Sequence, residues 1–189
     1  MEKLLQLLNG IAPLSPALQS HLKSILKRNT FKKRSYLLQA GQVSNCIHFL
    51  ESGLVRCFYD NEEQEICIWF MAEGNVIISV ESFLCQVKSY QYIQALEDCI
   101  TWSISYIELH GIYKKFPEFN LHRAILLEKY YVESEKRQRI LSLNSAVDRY
   151  IQFMEIQPEL TLQLPAKYIA SYLNIAEAYF SRIKAKYTS

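Results

Sequence analysis

Apolar positions along the chain follow two different periods. Leu18, Leu22, Ile25 and Leu26 fall on one side of a 3.6-residue repeat, so residues 16–28 are predicted as a short amphipathic helix, with another over residues 2–9. From about residue 35 to 107 the texture becomes short runs of β-branched and aromatic residues: 36–38, 46–50, 54–59, 66–70, 76–78, 92–96 and 100–104. Glu51-Ser52-Gly53 and the acidic stretch Asp60-Asn61-Glu62-Glu63-Gln64 read as hairpin turns between them. Many short strands of this kind close into a barrel or jelly roll.

Pro117 then opens a long helical tract to about residue 143. One seam in it, Ala124, Leu127, Tyr131, Ser134, Gln138 and Leu141, alternates three- and four-residue steps, while Leu121, Ile125, Leu126 and Tyr130 lie on other faces. A helix apolar on more than one side touches more than one neighbour. Its own barrel and the same helix of a second subunit are the natural ones, and a single buried helix of a monomer is the alternative. Ser145 to Met154 gives another helix, with Val147, Tyr150, Ile151 and Met154 on one face, and Pro158 and Pro165 bracket a linker.

The last helical pattern is a pair of short helices in residues 165–186. The first starts at Pro165 and buries Ile169, Ala170 and Leu173; Asn174 ends it in the left-handed conformation that Asn tolerates, and Ile175 plugs the gap. The second turns Ala176, Phe180, Ile183 and Tyr187 inward and leaves Ala178, Ser181, Arg182 and Ala185 outward, flanked by Lys184 and Lys186. Small and basic residues outward are what a helix set into a DNA groove requires. Any small helical bundle shows the same spacing, so context has to decide. The resulting class is α+β: a barrel over residues 1–111, a long helix over 112–143 and a helix-turn-helix over 144–189.

Composition sharpens that division. All five glycines (10, 41, 53, 74 and 111) precede residue 112. Residues 1–111 carry nine Lys/Arg against eleven Asp/Glu, whereas residues 112–189 carry twelve against eight. The positive part holds the helix pair, an asymmetry that phosphate backbones favour through counterion release. A second basic run, Lys23 to Arg34, reads as solvated surface before the first strand. Cys46, Cys57, Cys67, Cys85 and Cys99 are an odd count with wide gaps and no leader ahead of them, the pattern of reduced, buried thiols in a cytoplasmic protein. No apolar run approaches the ~20 residues a membrane helix needs.

The order barrel, long helix, helix pair resembles the Crp/Fnr family of transcription regulators. Leu38-Gln39-Ala40-Gly41 and Ile47 through Arg56 look like that family's glycine-punctuated first hairpins; Gly74 matches the glycine before its ligand segment; Ala95-Leu96-Glu97-Asp98 matches the strand after it. Arg149-Tyr150, Ile169 through Leu173 and Ser181-Arg182-Ile183 resemble its DNA-binding region. The resemblance implies a homodimer that binds double-stranded DNA, a sensor barrel for a small-molecule effector, a dimer helix through Ala124, Leu127, Tyr131 and Leu141, and contact with RNA polymerase. It places DNA contacts at Lys167, Glu177, Tyr179, Ser181, Arg182, Lys184 and Lys186. It places the ligand pocket at Gly74, Asn75, Val76, Phe83, Lys88, Ser89, Tyr90 and Tyr92.

Several residues depart from that pattern. Cyclic-nucleotide-binding members hold the ribose with Gly-Glu and the cyclic phosphate with Arg-Ser. Here Gly74 is followed by Asn75-Val76-Ile77-Ile78-Ser79-Val80, and the phosphate position holds Lys88-Ser89-Tyr90 or Ser89-Tyr90-Gln91. Lys88 cannot supply the two-pronged geometry of a guanidinium, so cyclic AMP is not the expected ligand and no cofactor is assigned. Tyr90, Tyr92 and Phe83 either fill the pocket or line it for a more apolar molecule. An iron–sulfur cluster needs closely spaced N-terminal cysteines, and the first cysteine is Cys46. His21, His48, His110 and His122 are isolated in sequence, against a metal site; spacing does not forbid haem at His48 or His110, but a lone histidine is more often structural or surface than a ligand, so haem is not expected.

At the DNA end the resemblance predicts Arg-Glu-Thr where Glu177-Ala178-Tyr179 stands, and a Ser/Thr cap where Ala176 stands, a loss of ~1 kcal/mol for that helix. Glu177 repels phosphate or accepts from a cytosine amine; Arg182 can fork onto guanine. The wing hairpin that usually follows is expected to be absent or truncated. Two readings compete with regulation: a barrel that binds a ligand or partner and has lost sequence-specific DNA binding, and an enzyme on the jelly roll. For the enzyme no nucleophile–base pair can be named, so no catalytic residue is assigned.

Overall fold

The computed structural model describes residues 1–61 and 64–187. It divides into two compact units, Met1–Tyr59 with Trp69–Leu127, and Asp60–Ile68 with Glu128–Ser189. Glu62 and Glu63, within the predicted acidic turn, lie outside the described residues, as does the chain end where a wing is at issue.

The first unit opens with α1 (Glu2–Ile11) and α2 (Pro16–Ile25). Ser15 caps α2 by accepting the Leu18 N–H at 3.2 Å, and Pro16 occupies the first turn, where a missing N–H costs nothing. The strands are β1 (Lys27–Phe31), β2 (Tyr36–Leu38), β3 (Cys46–Ser52), β4 (Leu54–Asp60), β5 (Glu65–Ala72), β6 (Val76–Ile77), β7 (Tyr92–Ala95) and β8 (Cys99–Ser105). They form two four-stranded sheets of order β1-β8-β3-β6 and β2-β7-β4-β5. The chain crosses repeatedly between sheets, as a jelly roll does.

Side-chain alternation sorts the two faces. Leu50, Ile77, Thr101 and Ser103 of one sheet and Leu38, Val55, Cys57, Ile93 and Ala95 of the other are buried inside the sandwich. Phe49 and Ile104 point the opposite way, into an apolar cluster with Leu4, Leu8, Leu18, Leu22, Leu109 and Ile112. Gly53, between β3 and β4, has φ +104°, and a Cβ there would lie 2.6 Å from Cys99 Sγ and 2.9 Å from the Asp98 carbonyl. No other residue fits that turn.

Two short helices complete the unit. α3 (Val80–Cys85) interrupts the stretch read as strands, and α4 (Tyr106–Lys115) begins on a capping box in which Ser105 and Glu108 bond each other's backbone N–H groups. Those bonds hold the Glu108 carboxyl below its ordinary range. Residues 27 and 28 were predicted to end a helix and instead start β1, whose partner β8 lies more than 70 residues away, with Lys27 opposite Ser103. Lys27 and Arg28 of the basic run therefore lie on the exposed edge strand of a sheet, where charged side chains discourage further pairing.

α5 (Phe119–Ser142) runs from the first unit into the second. It is followed by α6 (Ala146–Ile156), α7 (Pro158–Gln163), α8 (Ala166–Tyr172) and α9 (Glu177–Tyr187). α7 occupies the predicted linker, opening on Pro158 at a position suited to proline. Tyr150, Phe153, Leu164, Ile169, Leu173, Phe180 and Ile183 form the second core, with the Tyr150 and Phe180 rings edge to face at 5.0 Å. Among the described residues no helix is long and apolar enough to cross a membrane.

Candidate nucleic-acid interface and sensor barrel

The second unit is built around the turn between α8 and α9. Asn174 takes φ +54°, the Ile175 N–H bonds the Ala170 carbonyl at 2.9 Å, and the Ile175 side chain is buried between the helices. Arg149 on α6 donates to the Leu143 carbonyl at 2.8 Å and to the Asn174 carbonyl at 3.2 Å. Ser171 on α8 accepts the Cys67 N–H and donates to the Glu65 carbonyl, each at 2.9 Å, which fixes α8 to the β5 end. Tyr172 is buried beneath the Arg137 guanidinium, 4.9 Å from its ring, and burial pushes its hydroxyl up to about 12. No local sequence signal marks Ser171 or Arg137 for these contacts, because both partners are tertiary.

The turn fixes which face α9 presents. Phe180 and Ile183 are buried, whereas Glu177, Tyr179, Ser181, Arg182 and Lys186 are exposed. The exposed Arg182 guanidinium lies 5.4 Å from the Tyr179 ring, a cation–π placement that limits its freedom. Ser181 Oγ donates to the Glu177 carbonyl at 3.1 Å, so its hydroxyl keeps acceptor capacity. Lys184 is half-buried, and Lys167 on α8 is exposed beside the Tyr168 ring. Ala176 and Tyr187, predicted inward, are exposed, because α9 buries only its central turn.

In the barrel, the start of the predicted pocket segment is bonded to β3. Gly74 N–H bonds the Leu50 carbonyl, the Asn75 carbonyl accepts the Leu50 N–H, and Val76 pairs with Phe49. Ser79 and Ser89 hydroxyls lie 3.1 Å apart; Ser89 Oγ donates to the Gln91 carbonyl at 2.9 Å, and Gln91 Nε2 donates to Ser79 Oγ at 2.8 Å. All three are buried. Phe83 turns out of the sandwich into the helical cluster, edge-on to Tyr106 at 5.3 Å. Lys88 and Tyr90 face solvent, and Tyr92 stacks on Phe58 with ring centroids 5.0 Å apart.

A half-open cavity of about 380 Å3 lies between the sheets, and Leu38, Val43, Cys46, His48, Ile77 and Ile93 are among the residues that line it. None of the eight residues predicted for the pocket is among them. For Tyr92 the cause is alternation along β7, which turns its neighbour Ile93 towards the cavity instead. His48 Nδ1 bonds Thr101 Oγ1 at 3.1 Å, and burial lowers the imidazole to about 4, so the ring is neutral at pH 7. Burial raises the Cys46 thiol. His110 Nδ1 is bonded to the Tyr106 carbonyl and His122 Nε2 to the Ala12 carbonyl. Among the described residues no group of three or more His, Cys, Asp or Glu side chains could hold a metal ion.

Residues 28–116 match the family model described as the cyclic nucleotide-binding domain. No curated protein matches the chain. Solved structures do. The c-di-GMP-responsive global regulator CLP of Xanthomonas campestris is 12% identical, with 92% of each chain covered and a TM-score of 0.74. A CooA variant from Carboxydothermus hydrogenoformans is 18% identical, covering 92% of this chain and 81% of that one, with a TM-score of 0.72. A Crp/Fnr-family transcriptional regulator from Eubacterium rectale is 16% identical, covering 93% and 84%, with a TM-score of 0.73. Residues 28–116 are thus similar to the cyclic nucleotide-binding domain, in a chain that has the fold of these Crp/Fnr-type structures.

Proposed function

We propose that the chain is a dimeric, cytoplasmic transcription regulator of the Crp/Fnr type that reads duplex DNA with α9 and does not use cyclic AMP. The observation that carries the reading is the exposed Arg182, stacked against Tyr179 on a helix whose other face is buried and whose entry turn is pinned by Arg149. Arg182 faces guanine, Ser181, Lys184, Lys186 and Lys167 face phosphates, and Glu177 and Tyr179 flank the base contact. Exposed Leu121, Ala124, Ile125, Leu127 and Tyr131 along α5 supply an apolar surface for a second copy, with half-buried Leu141 at its end. The absence of a guanidinium from residues 74–92 and the engagement of Ser89 in the buried network support the exclusion of cyclic AMP. No catalytic role is assigned.

Selection of sites from a random duplex pool tests the reading. The expected outcome is a two-fold site whose half-sites are spaced by about one helical turn, ~10 base pairs. Binding with no preferred sequence would replace the reading with a second one, a ligand-responsive protein whose helix pair docks a protein partner. Glu177 at the entrance of α9 is the observation in favour of that alternative, since its carboxylate repels phosphate.

A further inference from the structure

The cavity between the two sheets has features that the predicted pocket segment lacks. Its wall is Leu37, Leu38, Val43, Ile77, Ile78 and Ile93, and its polar atoms come from Gln42, Ser44, Asn45, Cys46 and His48. No residue in that wall carries a full charge at pH 7 with His48 neutral, and Lys88, the bridge partner of Val43, is exposed to solvent. Moving an anion into such a space has no compensating partner, so phosphates and carboxylates are disfavoured there. At about 380 Å3 the space falls in the range of small-molecule sites.

One polar handle stands out. Thr101 holds Nδ1 of His48, which leaves Nε2 as the ring's remaining hydrogen-bonding atom. A neutral imidazole offers one donor and one acceptor, and the Thr101 hydroxyl accommodates either tautomer. A ligand hydroxyl, which both donates and accepts, is satisfied by whichever form is present.

We propose that this cavity is the effector site, and that it takes a neutral molecule, apolar in part, whose hydroxyl bonds Nε2 of His48. The inference rests on the reading of the chain as a ligand-controlled regulator and names its ligand class. Val43, half-buried, lines the cavity, and Cys46 provides a reporter on the wall.

The test uses the full chain and 2-naphthol, naphthalene and 2-naphthoate as probes, with binding read by probe fluorescence and thermal shift. Saturable binding of 2-naphthol is expected, about tenfold tighter than naphthalene, the difference made by one hydrogen bond, with no binding of the anionic naphthoate. In His48→Phe the two neutral probes should bind alike. Val43→Trp should abolish binding of both. In the unaltered chain 2-naphthol should slow alkylation of Cys46 while leaving the exposed Cys85 unaffected, a readout that needs no variant to fold. Unsaturable binding, an unchanged naphthol preference in His48→Phe, tight naphthoate binding or unprotected Cys46 would each overturn the assignment. None of these measurements involves DNA, so an effector site can stand where the duplex selection fails, and the reverse.

Discussion

Arg149 and Asn174 are joined by a hydrogen bond of 3.2 Å from the guanidinium to the backbone carbonyl, while the same side chain holds the Leu143 carbonyl at 2.8 Å. One residue of α6 thereby fixes both the end of α5 and the left-handed turn that aims α9. A charged donor shared between two carbonyls is worth about 1.5–3 kcal/mol. Arg149→Ala is expected to lower stability by that order, and Arg149→Lys to restore only part of it, since an ammonium lacks the planar fork. Hydrogen exchange of α8 and α9 amides measures the effect, and unaltered protection would show that the turn holds without the bridge. At Asn174 itself φ is +54°, so Asn174→Gly should be tolerated and Asn174→Val should cost about 1–2 kcal/mol or more.

On the proposed reading, Arg182 and Lys186 separate base reading from phosphate binding. Arg182→Ala should cost on the order of 1–3 kcal/mol of DNA affinity and relax choice at one base pair of each half-site. Lys186→Ala should weaken all sequences alike and flatten the salt dependence by about one ion. Quantitative mobility shifts over single-base operator variants, repeated at several salt concentrations, distinguish the two. The same sequence profile in the arginine variant would move base recognition off this face of α9.

Tyr131 is 66% exposed on α5, with Leu127 at 45% one turn before it. Tyr131→Glu should leave the fold of the single chain intact and weaken self-association at least about tenfold, because a carboxylate would be buried without a partner. Sedimentation equilibrium measures this. An unchanged association constant would place the contact between copies away from this stripe.

His48 makes stability depend on pH in a defined window. Its imidazole titrates at about 4 in the folded chain against 6.5 ordinarily, so the unfolded chain takes up the proton first. Stability is full above pH 6.5 and falls as pH drops from there towards 4, by about 3 kcal/mol in all. Glu108, whose carboxyl is held below 4.5, loses its contribution only beneath that value, so the interval from 6.5 to 5 isolates the histidine. Urea denaturation across this interval should show the slope in the native chain and a flatter response in His48→Gln. Equal slopes would assign the proton uptake elsewhere.

Local pattern was enough where neighbours in sequence are also neighbours in space. The 3.6-residue repeat of Ile169, Ala170 and Leu173, the stop at Asn174 and the inward Phe180 and Ile183 all follow from a few consecutive residues, and all are buried or turned as their spacing requires. The strand-length runs behave likewise. β1 did not, because Lys27 to Phe31 alternates weakly and becomes a strand only through β8. α7 was hidden by its two flanking prolines, of which the first is compatible with a helix start.

The sequence by itself determined a β-rich barrel, a long helix and a paired-helix module with a basic outer face, because periodicity and backbone preferences act over a few residues and do not need distant partners. Tertiary structure alone decided which residues enclose empty space. Phe83 left the barrel for the helical cluster, Ser79, Ser89 and Gln91 bonded one another, and His48 came to line a neutral cavity with Ile77 and Ile93. Which face of each strand turns inward depends on register between segments far apart in the chain, and a shift of one residue would exchange lining for surface.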